Sequence, residues 1–364
     1  MKSRLIDSNE NKSKGPAFAL IAAALFGLST PLAKLLLGQL EPIPLAALLY
    51  LGSGIGLAVW IILRRAITGE KPREASLKGI DLPWLGSAIF SGGIIGPVLL
   101  LVGLRLTPAS SASLLLNLEG AFTALLAWFV FRETFDHRIA LGMAAIVSGG
   151  VLLSWAGRPE IGIPWGPILI AGACLAWAID NNLTRKVSSG DPIQIAAAKG
   201  LIAGTVNLII AFTIGAALPG LTSTLEAVLL GFLSYGVSLT LFVFALRYIG
   251  TARTGAYFST APFVGALLSL IIFRDRVTLA LIAAAVLMLI GIWLHLTERH
   301  EHEHLHKEME HEHRHSHDEH HQHHVEPELL AQTHTHMHKH EKLRHSHPHY
   351  PDIHHRHGHG ADAK

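Results

Sequence analysis

From Pro16 to Leu296 the chain repeats one pattern, an apolar run followed by a short polar break. Each run is about 20 residues long, which is what a helix needs to cross a hydrocarbon core. The pattern predicts ten spanning helices, at about 17–37, 43–65, 84–105, 108–131, 138–156, 166–187, 192–215, 224–247, 251–273 and 277–297. The first follows a polar, Lys-bearing leader that resembles a signal peptide. Its apolar run is longer than a typical signal core and no small-residue cleavage site follows, so it is expected to be retained. At His300 the apolar pattern gives way to HEHEHLHKEMEHEHRHSH.

Composition agrees with a membrane protein. Half of the residues are hydrophobic and 15% are charged, against about 25% charged in soluble domains. The expected fold is an all-α integral membrane protein, with the lipid bilayer and a small-molecule substrate as partners and no nucleic acid. Cys174, the one cysteine, lies inside an apolar run, which excludes an intrachain disulfide or a thiolate metal cluster.

Positive charge fixes an expected orientation. With the N-terminus inside, the cytoplasm receives Lys2, Arg4, Lys12 and Lys14, then Arg64, Arg65, Lys71, Arg73 and Lys78, then Arg132, Arg138, Arg185, Lys186, Arg247 and Arg253. The opposite side receives mainly Arg105, Arg158, Arg274 and Arg276. Ten spans return the C-terminus to the cytoplasm, and the histidine tail with it.

The chain also aligns with itself. At an offset of 142, GLRLTPASSASLLLNLEGAFTALLAWFVFRET from Gly103 lies over ALRYIGTARTGAYFSTAPFVGALLSLIIFRDR from Ala245, with Arg105 over Arg247 and Arg132 over Arg274. A second alignment sets Gly15-Pro16 over Gly166-Pro167 and, after a one-residue gap, Glu41-Pro42 over Asp191-Pro192. Each half then holds five spans. An odd number forces the halves into opposite orientations, the inverted-repeat plan of secondary transporters, whose sites lie near the midplane. The expected divisions are a cytoplasmic segment over 1–15, five-helix repeats over 16–157 and 158–298, and a His-rich cytoplasmic tail over 299–364, without regular structure when no ligand is bound.

FGLSTPLAKLLL (Phe26–Leu37), the Arg105–Thr134 and Arg247–Arg276 blocks and the terminal GIWLHL resemble the EamA family of the drug/metabolite transporter superfamily, over roughly residues 15–297. The resemblance implies a ten-helix carrier in the inner membrane that moves metabolites, amino acids or drugs, often outward, without a bound cofactor. The tail lies outside the family pattern.

Ionisable groups at bilayer depth are costly and mark sites by default. Glu119, with Asn117 beside it, falls near the middle of the fourth span; it can bind a substrate amine or take up a coupling proton, or be a structural carboxylate held by a neighbouring donor. Asp180-Asn181-Asn182 lies in the second half of the sixth span, and helical geometry lets at most two of the three face one cavity, with Asp180 the first choice; an earlier helix end would instead leave the trio at the cytoplasmic interface. Lys199 lies two turns into the seventh span, with Asp180 or Glu119 as its expected partner; it can instead bind a substrate carboxylate or snorkel to the headgroups. Tyr257, Ser259 and Thr260, followed by Pro262, can line a polar path or serve helix packing. Trp60, Trp84, Trp128, Trp155, Trp165 and Trp293 fall near span ends, as interfacial anchors do.

Of the 25 histidines, all but His137 and His295 follow residue 299. Imidazole binds Zn, Ni, Cu and Co, so His300, His302, His304, His306, His311, His313, His315 and His317 are candidate low-specificity metal ligands. The tail could instead respond to pH or have no selected role. The leading expectation is a secondary carrier for small organic solutes that works by alternating access and requires no cofactor. A divalent metal exporter whose tail captures the ion is the alternative, weakened by the scarcity of histidine and cysteine within the spans. A non-transporting receptor or sensor is a third reading, and no nucleophile-and-base pair or metal motif in the spans suggests an enzyme.

Overall fold

The computed structural model describes residues 2–68, 79–131, 137–155, 163–184, 187, 191–217, 219–297, 301–306, 309–315, 334–340 and 343–348. The first half contains α1 (Lys2–Gly27), α2 (Ser29–Leu36), α3 (Pro42–Thr68), α4 (Leu82–Ala88), a π-helical segment (Ile89–Ile95), α5 (Gly96–Arg105), α6 (Ala109–Leu115), α7 (Leu118–Phe131) and α8 (His137–Trp155). The second contains α9 (Trp165–Thr184), α10 (Pro192–Thr213), α11 (Leu221–Gly231), a π-helical segment (Phe232–Val237), α12 (Ser238–Phe258), α13 (Ala261–Phe273) and α14 (Leu279–Leu296).

Local chemistry sets several boundaries. Pro42 and Pro192 open α3 and α10, where a missing N–H costs nothing. The Asp191 carboxylate caps α10 by accepting from Ile193 N at 2.8 Å, and Thr278 Oγ1 caps α14 by accepting from Leu281 N at 3.1 Å.

Among the described residues, seven stretches are long and apolar enough to cross a membrane: Gly15–Leu36, Pro42–Thr68, Leu82–Arg105, Ala109–Val130, His137–Trp155, Ile193–Thr213 and Leu221–Ala245. Ala261–Phe273 and Leu279–Leu294 are apolar but shorter. The 20-residue α9 falls below that apolar level because Asp180, Asn181 and Asn182 close it. The boundary expected between the eighth and ninth spans is corrected: α12 runs unbroken to Phe258. Its counterpart in the first half is interrupted at Pro108, which disfavours helix in the residue before it, whereas the aligned residue in the second half is Gly250.

Two helix crossings show how the halves meet. α3 packs on α10 at glycines: a side chain at Gly54 would collide with Leu201 N, and one at Gly204 would come within 2.6 Å of Leu51 N. Adding 150 to Leu51 and Gly54 gives Leu201 and Gly204, so the two contacts are exchanged copies of one another. α8 packs on α14 in the same manner. Gly149 faces Ala284 O and Met288, and Gly291 faces Gly142 O and Ile146; here the exchanging offset is 142. In both crossings rising numbers on one helix meet falling numbers on the other, so the paired helices are antiparallel.

The first π-helical segment has a chemical cause. Pro97 cannot donate to the carbonyls of Gly92 or Gly93 one turn earlier. Both find side-chain donors instead: Gly92 O accepts from Tyr50 OH at 2.9 Å and Trp177 Nε1 at 2.9 Å, and Gly93 O accepts from Asn207 Nδ2 at 3.1 Å. A side chain at Gly92 would overlap the Asp180 carboxylate, so only glycine fits there.

Large apolar residues such as Ile62, Phe129, Val130 and Ile271 lie exposed on the outside of the bundle, as lipid contact requires. The six tryptophans expected near span ends are exposed as well, while Trp177 is buried.

Beyond the helical bundle, the described backbone of the tail forms antiparallel pairs, Glu301–His306 with Leu343–Pro348 and Met309–His315 with His334–His340. Alternating His-x-His sequence has the two-residue period of a strand. The register sets His302 opposite His347, His304 opposite His345, His311 opposite His338 and His313 opposite His336.

Candidate functional site

Two helix interruptions meet near the middle of the bundle. In the first half α6 stops at Leu115 and α7 starts at Leu118, with tightened three-residue bonds from Asn117 N to Leu114 O at 3.1 Å and from Glu119 N to Leu116 O at 3.1 Å. In the second half α12 stops at Phe258 and α13 starts at Ala261, where Pro262 supplies no donor. A cavity of about 270 Å³ lies between them. Its walls include Leu116, Asn117, Glu119 and Gly120 on one side and Phe258, Ser259, Ala261 and Pro262 on the other. The two sets correspond one to one at the offset of 142. The cavity extends past Ile146, Gly255 and Ile292 to Leu296, the last residue of α14, at the end of the bundle from which the tail leaves.

The half-buried Glu119 carboxylate points to α9, where Asn181 Nδ2 donates to Oε1 at 2.8 Å. Asn117 Nδ2 donates to Leu114 O at 2.9 Å and approaches Met288 Sδ at 3.6 Å. Phe26 and Phe258 form an aromatic wall with ring centroids 5.4 Å apart, backed by Tyr235 at 5.9 Å from Phe26.

The Asp180–Lys199 pair is not among the residues that line the cavity. Lys199 Nζ donates to both carboxylate oxygens of Asp180, at 2.5 and 2.7 Å, and to Thr184 Oγ1 at 3.2 Å; Thr184 Oγ1 in turn donates to Asp180 Oδ1 at 2.8 Å. Consecutive residues of α9 therefore serve two networks. Asp180 holds α9 to α10, and Asn181 reaches Glu119 on α7.

The end of the bundle opposite the tail carries polar contacts between elements. Lys34 Nζ on α2 donates to Leu104 O, to Arg105 O at 3.3 Å and to Thr107 O at 3.1 Å, capping the end of α5. Asp275, which follows α13, accepts from Ser110 N at 3.2 Å and Ser110 Oγ at 2.7 Å, joining the second half to the first turn of α6. Ser223 Oγ donates to Gln39 Oε1 at 2.6 Å, a second tie between the halves.

A family model described as the EamA-like transporter family matches the chain twice, over residues 13–155 and 164–297, and so covers each half in turn. The chain belongs to the EamA-like transporter family. An uncharacterized transporter of Methanothermobacter thermautotrophicus is 30% identical over 292 residues, 76% of this chain and 84% of that protein. The uncharacterized transporter YyaM of Bacillus subtilis is 23% identical over 286 residues, 76% and 90% of the two chains. The probable 4-amino-4-deoxy-L-arabinose-phosphoundecaprenol flippase subunit ArnE of Pseudomonas fluorescens is 36% identical over 81 residues, 22% of this chain and 70% of its own. One solved crystal structure superposes with a TM-score of 0.56 at 18% identity, over 78% of this chain and 96% of that one, a likeness in fold alone.

In this EamA-like chain the residues singled out by sequence fall into groups. Glu119 and Asn117 line the cavity. Asp180 and Lys199 bind each other and are not among its lining residues. Tyr257 and Thr260 are not among them either: Thr260 Oγ1 donates to Tyr257 O at 2.6 Å, while the intervening Ser259 reaches the cavity. His300 and His317 lie outside the described residues, and His302, His304, His306, His311, His313 and His315 are described by backbone alone. Among the described residues no cluster of three or more His, Cys, Asp or Glu could hold a metal ion.

Sequence reasoning passed over Asn181 in favour of the charged Asp180, and it passed over the Phe26–Phe258 wall and the Lys34 and Asp275 contacts. A cation near the end of the first span and a carboxylate just past the ninth were the available signals.

Proposed function

We propose that this protein is a secondary carrier that moves small organic solutes across the inner membrane by alternating access of two inverted five-helix halves. The observation that carries the proposal is the position of the cavity, between helix interruptions that correspond one to one at the repeat offset. Broken helices at a repeat interface are where secondary transporters place their substrate. Support for inversion comes from the α3–α10 and α8–α14 crossings, in which helices related by the repeat are antiparallel and exchange equivalent contacts. The cavity reaches one end of the bundle while Lys34 and Asp275 close the other, which is one of the two states that alternating access needs. The named relatives are transporters and a flippase subunit, roles that also move a solute or lipid through the membrane.

We propose from the positive-charge bias that both termini lie in the cytoplasm, so that the cavity opens inward, and separately that the carrier exports its solute. Glu119, with Asn117, is the substrate-binding or coupling group; Asn181 orients it. Asp180 and Lys199 hold α9 against α10. Wild-type protein in vesicles should give saturable solute flux that Glu119→Gln lowers about tenfold or more, and equal flux in the two would remove Glu119 from the mechanism. For the tail we infer loose capture of Ni, Zn, Co or Cu, supported by a register that sets histidine opposite histidine. Deleting residues 300–364 should then lower metal retention by the purified protein and leave solute flux intact.

A further inference from the structure

We infer that the cavity at the two helix interruptions is built for a small organic cation with an apolar or aromatic body and no carboxylate of its own. This inference rests on the carrier reading and names its substrate class.

Charge is the first ground. Among the described residues that line the cavity, Glu119 is the one ionisable side chain. Its repeat counterpart is Ala261, so the negative charge is present once and not doubled across the interface. An anionic solute would meet this carboxylate with no compensating cation. A zwitterion would need a cation for its own carboxylate. The nearest lysine in the network, Lys199, is bound to both oxygens of Asp180 and stands outside the lining.

The walls supply the second ground. Phe26 and Phe258 present aromatic surface, and Leu116, Ile146, Ile292 and Leu296 present aliphatic surface. A cation between a carboxylate and ring faces gains from both, as in sites for quaternary ammonium groups. A bare metal ion gains little there. It needs several oxygen ligands, whereas the wall offers only Glu119, Asn117 and Ser259 as polar side chains.

Asn181 completes the arrangement. It holds one oxygen of Glu119 from the α9 side and leaves the other to a solute. The donor is neutral, so it orients the carboxylate without placing a competing positive charge beside it.

The test measures binding to the purified full-length protein with three aromatic probes of similar size: benzyltrimethylammonium, whose charge is permanent, neutral N-benzylacetamide and anionic 3-phenylpropionate. The cation should bind saturably and at least about tenfold more tightly than either of the others. Glu119→Gln should remove that preference with the thermal midpoint of the protein unchanged, and Glu119→Asp should retain it. Absence of saturable cation binding, equal binding of the neutral or anionic probe, or an unaltered cation preference in Glu119→Gln would overturn the inference. Flux in vesicles separates the two levels. Saturable flux of a neutral or anionic solute without cation flux rejects the substrate class and keeps the carrier, whereas vesicles that retain every solute reject the carrier itself.

Discussion

Asn181 and Asp180 occupy adjacent positions on α9 and point into different networks, because successive residues on a helix are turned by about 100°. The sequence narrowed the choice to this trio, but the selection between them depends on how α9 crosses α7 and α10. The charged residue went to the packing pair and the neutral amide to the cavity carboxylate. Asn181→Leu should therefore lower transport, by an amount on the scale of a hydrogen bond to a charged group, about 1.5–3 kcal/mol. Comparing kcat with KM for the flux checks this: loss of orientation acts on both, whereas a purely structural effect would appear in the thermal midpoint. Asp180→Asn leaves a half-buried ammonium without its counter-charge and should cost stability, up to about 3–5 kcal/mol. Asp180→Leu combined with Lys199→Met should restore much of it, as read by thermal unfolding in detergent.

At the scale of elements, the apolar periodicity made most helices legible, and Pro42, Pro192 and Asp191 marked real helix starts. The interruption between α6 and α7 was not legible, since no proline or glycine marks residues 115–118; it is held locally by Asn117, whose Nδ2 donates to Leu114 O within the break. The α3–α10 crossing depends on backbone approach at Gly54 and Gly204, so Gly204→Leu should destabilise the protein by at least the roughly 1–3 kcal/mol of an overpacked core. Unfolding of detergent-solubilised protein checks that figure. The closed end is held by Lys34 and Asp275 through carbonyl and hydroxyl groups of α5 and α6. In a Cys174→Ser background, Asp275→Asn should speed labelling of a cysteine introduced by Ala112→Cys with an impermeant thiol reagent added from that side. An unchanged rate would show that Asp275 does not hold the closed end.

For the whole molecule, the self-alignment at offsets of 142 and 150 foreshadowed contacts that the helix crossings then displayed in exchanged pairs. The cavity was not visible in sequence, because its walls come from residues up to 270 positions apart, Phe26 to Leu296. The histidine tail, the most conspicuous feature of the sequence, lies outside both family matches. Reporter fusions after Thr297 and at the N-terminus should both read as cytoplasmic, in line with the charge bias.

The central claim is that a carrier moves an organic solute through the Glu119 cavity. Its most direct test loads proteoliposomes with a whole-cell metabolite extract and follows their contents by mass spectrometry. The account predicts that vesicles with wild-type protein lose at least one organic solute that Glu119→Gln vesicles retain. Contents that match protein-free vesicles throughout would contradict it.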